Sequence, residues 1–182
     1  AIVLDRTVIF PESGGQLSDT GFIDESEVLR AGIVDGRILH YCDAPFEIGR
    51  TVTVRLDIPA RLDHTAQHTG EHILSGLAFK LFGAHNVGFH MAKDYCTIDL
   101  DRFLDEAELI RLQLAANAAV QADLPITFQT VSGTEAGALP LRKLADKLSD
   151  TTEDVRIVYI DGGSIDSCTC CGTHFASTGS VG

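Results

Sequence analysis

The chain has 182 residues, 26 of them acidic and 14 basic, so its formal net charge is −12 with histidine neutral. That balance argues against a protein that coats nucleic acid with a uniformly basic surface, and an apolar content of 45% supports a proper core and excludes general disorder. No apolar run approaches the roughly 18 residues of a membrane span, and no basic segment leads into an apolar one at the start, so the expectation is a soluble, cytoplasmic protein. Five cysteines cannot all pair, and Cys168, Cys170 and Cys171 crowd into four positions, which favours metal or redox chemistry over a disulfide scaffold.

The first fifty-odd residues break into short apolar runs between turn signals: Ala1 to Leu4, Thr7 to Phe10, Gly21 to Ile23, Val28 to Val34, Arg37 to Tyr41 and Thr51 to Leu56. Such spacing predicts a small β-barrel-like or curled-sheet domain over residues 1–57. Within it, Gly14 and Gly15 suit either a tight corner or a close approach to a ligand. From Ile58 the period becomes helical. Ala60 to Phe82 reads as a long helix stopped by Gly83, and Tyr95 to Leu100 as a strand. Leu104 to Ala122 reads as a second long helix, followed by a strand over Ile126 to Val131, a helix around Leu141 to Leu148 and a strand over Val155 to Ile160. The order implies an α+β domain over residues 58–182, long helices packed on an antiparallel sheet, with an irregular cysteine-rich end.

His64, His68 and His72 recur every four residues on the first helix. A step of four advances about 400°, so adjacent members share a face. A pair at i and i+4 suits one zinc ion, which draws imidazole nitrogens to about 2.0–2.1 Å. The bland alternative is a solvated polar face. Near the end, Cys168-Thr-Cys-Cys-Gly-Thr-His174 offers thiolates and an imidazole in a glycine-bearing turn, a donor set softer than magnesium or calcium prefers. A histidine pair from the helix with a cysteine and a histidine from the turn would complete a tetrahedral site.

These motifs resemble those of the alanyl-tRNA synthetase editing domain and its free-standing AlaX relatives. His68-Thr-Gly-Glu-His72 matches the H-x-x-x-H helix motif, and Cys170-Cys-Gly-Thr-His174 with Thr178-Gly matches the C-x-G-T-H…T-G motif. Phe10-Pro-Glu-Ser-Gly-Gly-Gln16 looks like the glycine-rich segment, with Ser13 where a glycine is common, and Gly88-Phe-His90 with Thr97 to Asp101 looks like the substrate-side strand. The resemblance implies a zinc-dependent hydrolase of translation fidelity that deacylates alanine tRNA mischarged with serine or glycine, competitors a small alanine pocket cannot fully exclude. It implies His68, His72, Cys170 and His174 as zinc ligands, with His64 one turn too early.

Four protein ligands resemble a closed structural site, whereas catalytic zinc usually keeps a position open. An exchangeable fourth position is preferred here, with zinc that only positions the substrate as the other resolution. Glu71 is the general-base candidate, an exposed helix carboxylate being its other reading. His90 either contacts the substrate or is structural, and Thr69 and Thr173 either bond a serine hydroxyl or support the helix and turn. Gly14, Gly15 and Gln16 are assigned to substrate binding.

Two competing readings remain. His68-Thr-Gly-Glu-His72 is also H-x-x-E-H, the inverted zincin signature, which needs a distant carboxylate as third ligand and leaves the cysteine turn unexplained. Alternatively, zinc is purely structural and the chain is an inactive tRNA-binding module. The net charge is compatible with tRNA if a local cluster meets the acceptor end, the candidates being Arg61, Arg142, Lys143 and Lys147. The start inside an apolar strand and the stop soon after the second motif suggest a chain truncated at its C-terminus, and oligomeric state is not legible.

Overall fold

The computed structural model describes residues 1–143 and 153–182. Four strands open the chain: β1 (Gly21–Ile23), β2 (Ser26–Val34), β3 (Arg37–Cys42) and β4 (Val54–Leu56). They form an antiparallel sheet in the order β3-β2-β1-β4. The β2–β3 hairpin turns at Asp35-Gly36, both at positive φ (48° and 73°), the Asp-Gly signature of a tight hairpin turn. Ile9, Ile23, Val28 and Ala31 form the core of this part. Among the described residues no pairing joins β3 to β4, so the sheet is open rather than a closed barrel.

Two expected strands do not form. Ile2 makes only an isolated bridge with His40. Around Thr7 to Phe10 side chains take the backbone donors: Ile9 N bonds Thr7 Oγ1 and Phe10 N bonds Asp19 Oδ2. Ile9 is buried nonetheless, which accounts for the apolar run without a ladder.

The first helix, α1 (Ile58–Phe82), begins where Asp57 accepts from Ala60 N and ends at Gly83 in the left-handed region, φ 66°. Its buried face carries Thr65, His68, Thr69, Glu71, His72 and Ser75. A polar stripe directed inward marks a site rather than a packing seam. The hairpin β5 (Asn86–Met91) and β6 (Cys96–Leu100) follows, then α2 (Glu106–Gln121), opened by an Asp105/Glu108 capping box.

Strands β7 (Ile126–Ser132), β8 (Asp154–Ile160) and β9 (Asp166–Thr169) form an antiparallel sheet in sequential order. Ile73 of α1, Ala119 of α2, Ile126 of β7 and Val158 and Ile160 of β8 share one core, so both long helices pack on this sheet. The chain is a mixed fold of antiparallel sheets and helices. A short helix, α3 (Gly133–Gly137), follows β7 behind a Ser132/Glu135 capping box. The helix expected around Leu141 to Leu148 does not include residues 141–143, where Lys143 makes a parallel bridge with Cys168; its remainder, including Lys147, lies outside the described residues. Among the described residues no helix is long and apolar enough to cross a membrane.

Candidate metal centre

One turn of α1 separates His68 from His72 and sets their rings 5.2 Å apart. Cys170 and His174 arrive from the turn that leaves β9. One ligand atom of each of these four residues lies within 4.8 Å of the others. Cys170 Sγ is 3.5 Å from His68 Nε2 and 3.4 Å from His174 Nε2. A tetrahedral zinc with bonds of about 2.3 Å to sulfur and 2.0–2.1 Å to nitrogen requires sulfur and nitrogen about 3.6 Å apart, so the donor set fits the ion.

The other ring nitrogens agree. His72 Nδ1 meets Asp166 Oδ2 at 2.8 Å, His68 Nδ1 meets Gln16 Oε1 at 2.6 Å, and His174 Nδ1 faces Thr69 Oγ1 at 3.4 Å. An imidazole that donates through one nitrogen presents a lone pair on the other, the usual arrangement around a metal. Protonation points the same way. Burial would raise the Cys170 thiol, but hydrogen bonds from His174, His68 and His72 bring it down to about 3, so sulfur is held as thiolate. His174 falls to about 4, chiefly through burial, and is a neutral imidazole at pH 7. His72 is the exception: burial pulls it down, yet Cys168, Asp166 and Cys170 push it well above the ordinary value. The upward push reflects the negative charge gathered around the ring, the same charge a metal cation in the cluster would meet.

The turn is clamped from several sides. Gln16 is fully buried; its Oε1 also accepts from Thr173 N (3.0 Å), and its Nε2 donates to Thr173 Oγ1 (2.9 Å). Arg156 Nη1 donates to the carbonyls of Cys170 (3.1 Å) and Gly172 (2.8 Å). Gly172 lies so close to α1 that a Cβ there would meet His68 Cε1 at 2.0 Å. Thr69 Oγ1 accepts from Phe175 N, and Thr65 bonds Thr173. Thr69, Thr173 and Gln16 therefore hold the ligand turn in place.

A cavity of about 390 Å³ opens beside the cluster, with His68, His72, Cys170, Glu71 and Phe89 in its lining. Glu71 is buried rather than solvated. Its Oε1 accepts from Ser75 Oγ (2.5 Å) and Asn86 Nδ2 (2.6 Å), while Oε2 lies 3.7 Å from His72 Nε2. Ser13 and Gly14 form part of the cavity rim. Gly15 packs on β5, where a Cβ would meet Phe89 O at 2.4 Å. His90 does not join the cluster; its side chain is 76% exposed, 3.9 Å from Asp99, beside a smaller cavity behind the glycine loop. His64 also stays outside, its Nδ1 buried with no partner among the described residues.

Asp166 and Arg142 adjoin the cluster through His72, a placement that sequence reasoning missed for Asp166 and misassigned for Arg142. Arg142 grips Asp166 through Nε (2.5 Å) and Nη2 (3.0 Å) and also donates to Cys168 Sγ (3.6 Å). Its side chain is only 6% exposed, which removes it from the candidate RNA contacts. Arg61 is likewise engaged, by Asp19 and Val8 O. Lys143 is exposed and lines the cavity with Arg156. The inverted zincin reading calls for a distant carboxylate as third ligand, and the residues that close on the histidine pair are instead Cys170 and His174.

No family model matches the chain. Similarity to individual proteins is extensive: it is 34% identical over 176 residues to the alanyl-tRNA editing protein Aarsd1 of Rattus norvegicus, and 35% identical over 189 residues to the alanyl-tRNA editing protein AlaX-L of Pyrococcus horikoshii. These alignments cover 95% and 100% of this chain. The chain is thus a homologue, over nearly its whole length, of proteins named alanyl-tRNA editing proteins. It spans 42% and 46% of those two relatives, less than half of each. The chain is also 32% identical over 191 residues to the alanine–tRNA ligase of Pyrococcus abyssi, covering 21% of that enzyme.

Proposed function

We propose that the chain is a free-standing deacylase that acts in the cytoplasm and hydrolyses the ester linking serine or glycine to alanine tRNA. The observation that carries this reading is the buried Glu71 carboxylate, with Oε2 3.7 Å from His72 Nε2, at a cavity walled by the His68–His72–Cys170–His174 set. Zinc held by those four residues would supply a Lewis acid able to polarise the ester carbonyl. Glu71 Oε2 accepts a proton from water as the water oxygen bonds the carbonyl carbon, and returns it to the ribose oxygen as the ester bond breaks. Ser75 and Asn86 fix Oε1, so the free oxygen keeps its direction.

Phe89, stacked on His68 with ring centroids 5.5 Å apart, forms an apolar wall against bulk water. Ser13 and Gly14 present backbone to the entering acceptor end, with Gly15 and Gln16 setting that loop on β5 and the metal turn. His90 serves on the outer approach, where an exposed imidazole can meet the terminal nucleotide. Thr69 and Thr173 act on the ligands rather than on the substrate. Lys143 supplies the positive charge for the phosphates nearest the ester, Arg156 being held to the metal turn.

The test is release of serine, glycine and alanine from the corresponding charged alanine tRNAs by the metal-loaded chain. Loss of the first two with alanine spared supports the reading. The completeness of the four-residue ligand set favours a second reading, a structural metal in a tRNA-binding module. Bound zinc without ester loss would establish that one.

A further inference from the structure

The three imidazoles of the ligand set are not held alike. His72 sits on α1 against a buried carboxylate, and Arg142 grips that carboxylate with two hydrogen bonds. His68, one turn earlier on α1, meets the amide oxygen of Gln16, itself pinned by Thr173 N. His174 stands on an irregular turn and faces a single neutral hydroxyl at 3.4 Å, beyond the roughly 2.7–3.2 Å of a well-formed bond. That hydroxyl is shared with Phe175 N. Burial follows the same order: His68 and His72 are buried, whereas His174 is partly open. A charged, well-fixed partner raises the donor strength of the coordinating nitrogen, and a long bond to a hydroxyl does little.

We propose that His174 is the exchangeable ligand of this centre and that Asp166, braced by Arg142, makes His72 its anchor. The inference rests on the zinc reading above and deepens it, because it says how a four-residue set makes a coordination position available. With metal bound, opening that position would break one dative bond from His174 Nε2, whose electron pair would stay on that nitrogen. No oxidation or reduction is involved. The rings of His68 and His72 keep their places on the helix.

The same geometry accounts for the second buried group, His72, Asp166 and Cys168. With a guanidinium 2.5 Å from Asp166 Oδ1, that group already holds its positive charge and braces the centre instead of taking a second metal.

The experiment measures metal affinity by chelator competition, with zinc and with cobalt(II) as the probe metals, on the whole chain and on His174→Ala, His72→Ala, Asp166→Asn and Thr69→Val. Asp166→Asn should weaken binding by about 10–100-fold and Thr69→Val by less than about threefold. His174→Ala should retain one equivalent of metal and lose at least about tenfold less affinity than His72→Ala. Where a variant fails to fold, the unaltered chain loaded with cobalt(II) and titrated with azide answers alone: its visible absorption should shift as azide enters the opened position. Equal losses for His174→Ala and His72→Ala, or no spectral shift with azide, would overturn the proposal while leaving the deacylase reading intact. A chain that takes up no metal would overturn both.

Discussion

Gly172 shows how little freedom the site leaves a single residue. A Cβ there would lie 2.0 Å from a ring carbon of His68, so Gly172→Ala must displace either the ligand or the turn. The expected outcome is loss of bound metal, measured as metal content after gel filtration, in a chain that otherwise keeps its helical circular dichroism. Glu71→Gln makes the complementary change: the side chain keeps its volume but loses its basicity. It should retain full metal content while deacylation falls about 10²–10⁴-fold. Both positions stand inside motifs that were visible in the sequence, because ligand spacing on a helix and in a short turn is a local property. Asp166 was not visible. Its partners Arg142 and His72 lie 24 and 94 residues away, and an aspartate in a polar stretch carries no mark of burial.

At the scale of elements, α1 is held by close approach as well as by apolar packing. Gly76 touches the connection into β9, where a Cβ would meet Ile165 O at 2.3 Å. Alanine in a helix interior ordinarily gains up to about 1 kcal/mol over glycine. Here steric overlap of about 1–3 kcal/mol opposes that gain, so Gly76→Ala should destabilise the chain and lower its melting temperature by several degrees in a thermal scan. The long helices were legible because their period and stop residues are local, as Gly83 shows. Thr7 to Phe10 was misread because an apolar run says nothing about where its backbone donors go, and Thr7 and Asp19 take them. Strand β9 was hidden for the opposite reason. Its inward residues, Asp166 and Cys168, are polar or soft, and it takes the Arg142 guanidinium and the His72 ring from other segments to make their burial tolerable.

At the scale of the whole molecule, pH and salt report on different parts. Burial would raise the Asp166 carboxyl, but hydrogen bonds from His72 and Arg142, together with their charges, bring it from 3.8 to about 2. Because the folded value lies below the unfolded one, the associated stability, about 2 kcal/mol, is complete above roughly pH 4 and disappears as pH falls through 2. Urea midpoints measured between pH 5 and 2 should fall less steeply in Asp166→Asn than in the unaltered chain. Salt should act weakly on tRNA affinity. With Arg142 and Arg156 both engaged internally, Lys143 is the exposed basic side chain left along the cavity among the described residues, and one phosphate contact gives a log–log slope of only about −1. The clamp between Gln16 and Thr173 joins positions 157 residues apart. During synthesis, a nascent chain that already displays α1 still lacks Cys170 and His174, so the four-residue donor set cannot assemble until almost all of these residues have been made. Any product that stops short of that turn is left with a histidine pair and no cage, which makes metal retention a direct readout of whether the two distant segments have met.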